Sequence, residues 1–252
     1  MASTQQGADD ARPPLVPAVP AGTRVYAVGD IHGRADLLHQ IQGLIKDDAA
    51  SATGRKVVVY LGDYVDRGPQ SCQVVEHLIA HPLIGFETVH LKGNHEEFLI
   101  RFVEDGAMGA AWMMNGGPAT LASYGVSALN LFFGERGLKR VQKRLARTIP
   151  SQHLDFYQGL SPSHVEGDYL FVHAGLRPGV TLDDQKEGDM IWIREEFLND
   201  DKGFEKMVVH GHSIEPEPDI HPHRIGIDTG AYRSGRLTCL VLEGATRRFL
   251  HT

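Results

Sequence analysis

Five short runs of mostly aliphatic and β-branched residues each end abruptly in a cluster of Gly, Asp, Asn or His: 24–28, 56–61, 87–91, 169–172 and 207–209. Runs of this length that stop at turn-forming residues read as buried strands feeding polar loops. Between the first three lie helical patterns, with Leu37, Leu38, Ile41, Leu44 and Ile45 on one face and Val74, Val75, Leu78 and Ile79 on another. The order is therefore βαβαβ. Such alternation implies an α/β protein with parallel pairing and helices outside, whose ligands sit at the carboxyl ends of the strands. The polar clusters fall at those ends. Residues 97–148 are mostly helical in period around the turn Asn115-Gly116-Gly117-Pro118, and 224–250 reads as two or three further strands. No internal repeat or charge block interrupts this layout.

A chain of 252 residues suits one large domain, expected over 23–252 behind a flexible N-terminal tail, 1–22, that carries Pro13, Pro14, Pro17 and Pro20. Hydrophobic residues at 42% and charged residues at 23% are globular values. No run approaches the roughly 20 apolar residues of a membrane span, and no signal peptide is visible. Lys and Arg number 25 against 32 Asp and Glu, a net charge of −7, so no global positive field draws in nucleic acid. Cys72 and Cys239 stand alone, which suits a reducing compartment and excludes a cysteine-based zinc site. The expectation is a cytoplasmic protein with neither membrane nor nucleic-acid partner.

In Gly29-Asp30-Ile31-His32-Gly33, Asp30 and His32 stand two apart in an extended segment and so point the same way, as half of a divalent-metal site or as a turn with a capping Asp. Gly62-Asp63-Tyr64-Val65-Asp66-Arg67-Gly68 offers a carboxylate able to bridge two cations, Asp63, and a planar fork suited to phosphate, Arg67. An Asp66–Arg67 surface pair is the competing account. Gly93-Asn94-His95-Glu96 adds a neutral oxygen donor, Asn94, and a proton carrier, His95, although Asn94 also reads as a helix cap. His173 and His210 end the fourth and fifth runs. Asp30, His32, Asp63, Asn94, His173 and His210 together supply donors for two divalent ions that share Asp63.

In this order GDIHG, GDYVDRG, GNHE, HAG and HGH resemble the signature of PPP-type metallophosphatases within the calcineurin-like phosphoesterase superfamily. The resemblance spans residues 29–212 and implies a central β-sandwich flanked by helices, in four layers α-β-β-α. It implies a first metal on Asp30, His32 and Asp63, and a second on Asp63, Asn94, His173 and His210. It also implies manganese, although this donor chemistry tolerates iron or zinc. Arg194, in Ile191-Trp192-Ile193-Arg194-Glu195-Glu196, matches an arginine that clamps phosphate in phage and bacterial relatives. Its alternative is a helix charge paired with Glu195 or Glu196. HAG, HGH and Ile227-Asp228-Thr229-Gly230 resemble bacterial or phage forms rather than eukaryotic ones.

The expected reaction is phosphomonoester hydrolysis, with a hydroxide bridging two metals attacking phosphorus in line. His95 would protonate the leaving oxygen, Asp66 would orient its ring, and Arg67 and Arg194 would hold phosphate oxygens. The substrate is expected to be a phosphorylated protein or a small phosphomonoester, which makes the chain a serine/threonine phosphatase. The alternative is a diadenosine tetraphosphate hydrolase. Members of that kind typically lose the second Asp of GDYVDRG and end the third motif in Asp, whereas Asp66 and Glu96 are kept here. A noncatalytic phosphopeptide-binding scaffold would be expected to have lost a ligand or the acid. Tyr232 and His212 are placed near the site without an assigned role, and Asn115 to Gly117 is expected to shape substrate access.

Overall fold

Strand β1 (Thr23–Val28) runs parallel to β2 (Arg55–Tyr60) because helix α1 (Ala35–Ala49) returns the chain between them, and α2 (Ser71–Ala80) does the same between β2 and β3 (Glu87–His90). The computed structural model describes residues 16–128 and 134–252. After β3 come α3 (Asn94–Asp105), α4 (Gly109–Met114), α5 (Gly117–Ser123), α6 (Gly134–Thr148) and α7 (Ser151–Gln158). Next are β4 (Ser163–Glu166), β5 (Tyr169–Val172), α8 (Glu187–Trp192), α9 (Glu195–Leu198) and β6 (Met207–His210). The chain closes with β7 (Asp219–Ile220), β8 (Arg224–Gly226), α10 (Ala231–Ser234), β9 (Thr238–Glu243) and β10 (Thr246–His251).

The strands form two five-stranded sheets, ordered β10-β9-β1-β2-β3 and β4-β5-β6-β8-β7. In each, three parallel strands carry an antiparallel margin, β9 and β10 in the first, β4 and β7 in the second. Side chains alternate across each pleat and sort into three apolar clusters. Val25, Ala27, Val57 and Val59 of the first sheet meet Phe171, Val209 and Ile225 of the second, which makes the sandwich. Tyr26, Val28, Val58 and Tyr60 face Leu38, Ile41, Val74 and Phe102 of the outer helices. Leu170, Val172 and Val208 face Met190 and Phe197 on the opposite side. The four-layer α-β-β-α arrangement is thus observed, and no helix of the described residues is long and apolar enough to cross a membrane.

Three details differ from the sequence reading. The proline-rich lead-in is not a free tail throughout. Residues 1–15 lie outside the described residues, but Val19 is buried in the inter-sheet core and Ala18 N–H donates to Asp168 Oδ2 at 3.0 Å. Leu44 sits at the margin of the α1 stripe, which centres on Ile41 and Ile45, and is exposed. Strands β4 and β7 went unread, because Ser163–Glu166 is polar and half exposed and β7 is only two residues long.

His90, at the end of β3, stacks on Tyr60 with ring centroids 5.3 Å apart and meets Phe156 at 5.0 Å. Its buried Nε2 has no hydrogen-bond partner among the described residues, and burial pushes the imidazole down to about 4. The unfolded chain takes up this proton near pH 6.5 while the folded protein resists it. Stability should therefore fall as pH drops from about 6.5 to about 4, by on the order of 3 kcal/mol from this residue, and level off below. Urea unfolding of chelator-treated protein at stepped pH should show this slope. His90→Phe, which keeps the stack, should reduce the slope by that amount and leave the part due to the other buried histidines.

Candidate metal and catalytic centre

The parallel strands of both sheets deliver their polar loops to one end of the sandwich. These loops follow β1 (Asp30, His32), β2 (Asp63, Asp66, Arg67), β3 (Asn94, His95), β5 (His173), β6 (His212) and β8 (Asp228). Apart from the half-buried Arg67, all of these side chains are buried. Six non-glycine residues among those described have positive φ, and His32, Asp63, Asp66, Arg67 and His212 are five of them, at 45° to 70°. Each costs roughly 1–3 kcal/mol, so this concentration marks a place where positioning outweighs local comfort.

Glu96 holds the central loop in that shape. Its carboxylate accepts the backbone N–H groups of Asp63 (2.8 Å), Tyr64 (2.8 Å), Val65 (3.3 Å) and Gly93 (3.0 Å), binding the β2 loop to the start of α3. The sequence reading used Glu96 only as a family marker. Its neighbours could be found only once the two loops met.

Asp63 lies at the middle. Its Oδ2 is 3.3 Å from His32 Nε2 and 3.8 Å from His95 Nε2, and its Oδ1 is 3.4 Å from His173 Nε2. Two groups result, His32–Asp63–His95 and Asp63–His173–His212, either of which could hold a metal ion. Asn94 Oδ1 adds an oxygen 3.0 Å from His173 Nε2. Burial alone would raise the Asp63 carboxyl; the protonated His95 ring and the His95 backbone N–H, 3.1 Å from Oδ1, act against it, and a cation held among the neutral rings would do the rest.

The tautomers suit ligation. His32 Nδ1 lies 2.8 Å from Val65 O, and His173 Nδ1 lies 2.8 Å from Leu61 O. A carbonyl only accepts, so each Nδ1 carries the proton and each Nε2 presents a lone pair to the centre. Burial drives His32 well below its ordinary pKa, lowers His173 and takes His212 down to about 2, so these rings are neutral. His32 Nε2, His212 Nε2 and Asp228 Oδ2 are buried without a hydrogen-bond partner among the described residues. Bare acceptors of this kind cost roughly 1–3 kcal/mol each unless a positive centre meets them, and the set fits divalent cations. Asp30 stands beside the groups. It accepts His212 N–H at 3.1 Å, and burial together with Asp228 and Asp63 raises it well above the carboxylate range, a penalty that a cation would reverse.

His210, expected to be a ligand, is not brought to this centre. The β6 alternation that puts Val208 on the outer face puts His210 there too, with its ring 5.0 Å from Phe197 and its Nε2 3.5 Å from Arg224 Nη1. His212, two residues later and turned by its positive φ, takes the place, its ring 5.0 Å from that of His173. Period-two alternation could not separate the two, since 208, 210 and 212 share one parity and the histidines part only at the turn after the strand. Asp228 was accessible, as the polar residue ending a strand.

Asp66 and His95 form a separate pair, Oδ2 to Nδ1 at 2.6 Å. Trp112 Nε1 donates to the same oxygen at 2.8 Å and Thr120 Oγ1 to Oδ1 at 2.6 Å, so α4 and α5 fix the carboxylate from behind. Burial lowers His95, but Asp63 and the bond to Asp66 outweigh it and raise its pKa. Arg67 Nη2 lies 3.2 Å from His95 Nε2, and its guanidinium lies over Tyr232 at 4.9 Å. Gly116 packs on the Arg67 backbone, where a Cβ would come within 2.6 Å of Arg67 N, at φ 104°. The Asn115–Gly117 stretch thus props the Arg67 turn. Arg194 is exposed and makes one long bond to Ser213 Oγ, 3.4 Å, and its charge reaches His173 and His212.

Residues 23–236 match the family model for calcineurin-like phosphoesterases. The chain is 25% identical over 240 residues to an asymmetrical bis(5'-nucleosyl)-tetraphosphatase of Bacillus cereus (strain AH820), covering 84% of this chain and 88% of that protein. It is 24% identical over 226 residues to serine/threonine-protein phosphatase 2 of Escherichia coli (strain K12), covering 85% and 90%. A crystallised protein provisionally assigned as a diadenosine tetraphosphatase shares the fold at TM-score 0.60 and 22% identity, over 93% of this chain and 98% of that one. The buried donor set and the family match agree: the chain belongs to the calcineurin-like phosphoesterases and is a metal-dependent phosphatase.

Proposed function

We propose that this phosphatase hydrolyses phosphoserine and phosphothreonine in proteins. The observation that carries the reading is the Asp66–His95 pair, with Asp66 anchored by Trp112 and Thr120. A serine or threonine alkoxide is a poor leaving group and needs a proton as the bond to phosphorus breaks, whereas a nucleoside phosphate departs readily as an anion. A buried, oriented imidazole is the device the first reaction requires.

Asp63, Asn94, His173, His32 and His212, with Asp30 and Asp228 beside them, would hold two divalent ions, manganese by resemblance. Once bound, these would supply Lewis acidity and lower the pKa of water at neutral pH. The chain's own residues do the rest. Arg67 and Arg194 place cationic donors where charge collects on the phosphoryl oxygens. His95 Nε2, directed toward Arg67 and Asp63, offers the proton to the departing oxygen while Asp66 holds the ring through Nδ1. Its setting in this reading is the cytoplasm, a reducing medium that the unpaired Cys72 and Cys239 suit. Hydrolysis of dinucleoside polyphosphates is the second reading, favoured by the similarity to the Bacillus cereus protein.

Steady-state hydrolysis of a phosphoserine peptide beside diadenosine tetraphosphate, with manganese and after chelation, separates the two. The peptide should be preferred, with His95→Ala lowering its kcat by roughly 10²–10⁴. Faster turnover of the dinucleotide would overturn the substrate assignment.

Since Asp66 favours the protonated ring, peptide turnover should decline at high pH as His95 loses its proton. Asp66→Asn should move that alkaline limb to lower pH, which a kcat–pH profile would show. Trp112→Phe removes one donor to Asp66 and should cut kcat about tenfold while leaving KM nearly unchanged, because Trp112 touches the acid's support rather than the substrate.

A further inference from the structure

Helix α6 carries Arg136, Lys139, Arg140, Lys143, Arg144 and Arg147, and all six are exposed. At 100° per residue they fall within an arc of about 140°, while Val141 and Leu145 face inward and are buried. The helix is fixed to its neighbour, since Gln142 Nε2 donates to Val103 O of α3 at 2.8 Å. None of the six makes a salt bridge among the described residues. Three exposed arginines elsewhere do: Arg55 with Glu87, Arg101 with Glu97 and Arg177 with Asp189. The one acid of α6, Glu135, lies outside the arc. The helix therefore has a net charge of +5 in a chain of −7, leaving −12 on the remainder.

Like charges three and four residues apart oppose helix formation, and this stripe holds several such pairs. The cost persists in the free protein and is relieved by carboxylates or phosphates laid along it. From Arg136 to Arg147 the stripe spans about 16 Å, the length of roughly five extended residues. We infer that the outer face of α6 is a docking surface for a short acidic segment of a partner protein, distinct from the catalytic centre. Size and surroundings select this occupant. A long polyanion, such as duplex nucleic acid or an anionic bilayer, would overrun the stripe and meet the acidic remainder. The arc also holds no aromatic side chain on which a base could stack. Arg140, Lys143, Arg144, Arg147 and Thr148 border one shallow depression on this face. Val103, where α6 is anchored, lies about 14 Å along α3 from Asn94.

The test is fluorescence anisotropy of the full chain with a labelled oligoglutamate peptide of about six residues, beside its glutamine counterpart. The glutamate peptide should bind, the glutamine peptide should not, and raising salt from about 0.05 to about 0.3 M should weaken binding at least about tenfold. R140E/R144E should lower affinity by at least about tenfold without lowering the thermal midpoint and with small-phosphomonoester turnover unchanged. If that variant unfolds, R140Q/R144Q replaces it, with a smaller loss expected. Equal binding by the folded variant, no binding by the parent, or tighter binding to duplex DNA or phosphatidylserine vesicles would overturn the inference. So would self-association of the parent that R140E/R144E abolishes. The readout is binding, so it stands or falls apart from the identity of the hydrolysed substrate.

Discussion

An ionised carboxylate almost sealed from water is the constraint around which the rest is arranged. Asp63 is 1% exposed, and an isolated charge there would neutralise itself rather than stay buried. Four histidines surround it, from the loops after β1, β3, β5 and β6: His95 offsets the burial by its own charge, and the neutral His32, His173 and His212 by the cation they would hold. Because they come from both sheets, the sandwich must close before the charge is tolerable. Fold and centre are therefore coupled: the sheets position the rings, and the rings permit the charge that a metal would use.

Glu96 supplies the second half of that coupling. Four backbone N–H groups converge on its two oxygens, which holds the β2 loop in left-handed conformations that Asp63, Asp66 and Arg67 would not adopt freely. From that one loop the three side chains diverge to different tasks. Asp63 faces the donor groups, Asp66 turns back to Trp112 and Thr120, and Arg67 leans over Tyr232 beside His95. The acid and its support are thus mechanically continuous with the metal donors, and His95, 3.8 Å from Asp63, stands at the boundary between them. Helices α4 and α5, which have no counterpart in the simple strand–helix alternation, serve chiefly that support.

Electrically the molecule is divided. The acidic balance of the chain governs most of its surface, while α6 concentrates positive charge on one solvent face, anchored at the far end of the helix whose first turn carries His95. Val141, Gln142, Leu145 and Ala146 interrupt the cations in the sequence, so no block stands out until the helical period gathers them.

The alternation of apolar runs with polar clusters was enough to establish the α/β class and the order of β1, α1, β2, α2 and β3. It also placed Asp30, His32, Asp63, Asn94, His95 and His173 at strand ends, because period and turn chemistry are local properties. The pairing of two sheets into a sandwich came from resemblance, not from periodicity, since an inward and an outward apolar face look alike in one dimension. The same ambiguity put His210 where His212 belongs: a residue's face depends on where its strand ends and how the next residue turns. Trp112, Thr120 and the reach of Glu96 were decided by tertiary structure alone. Each acts on a partner about 30 to 54 positions away, and only closure of the two sheets and their helices brings such groups within hydrogen-bond distance.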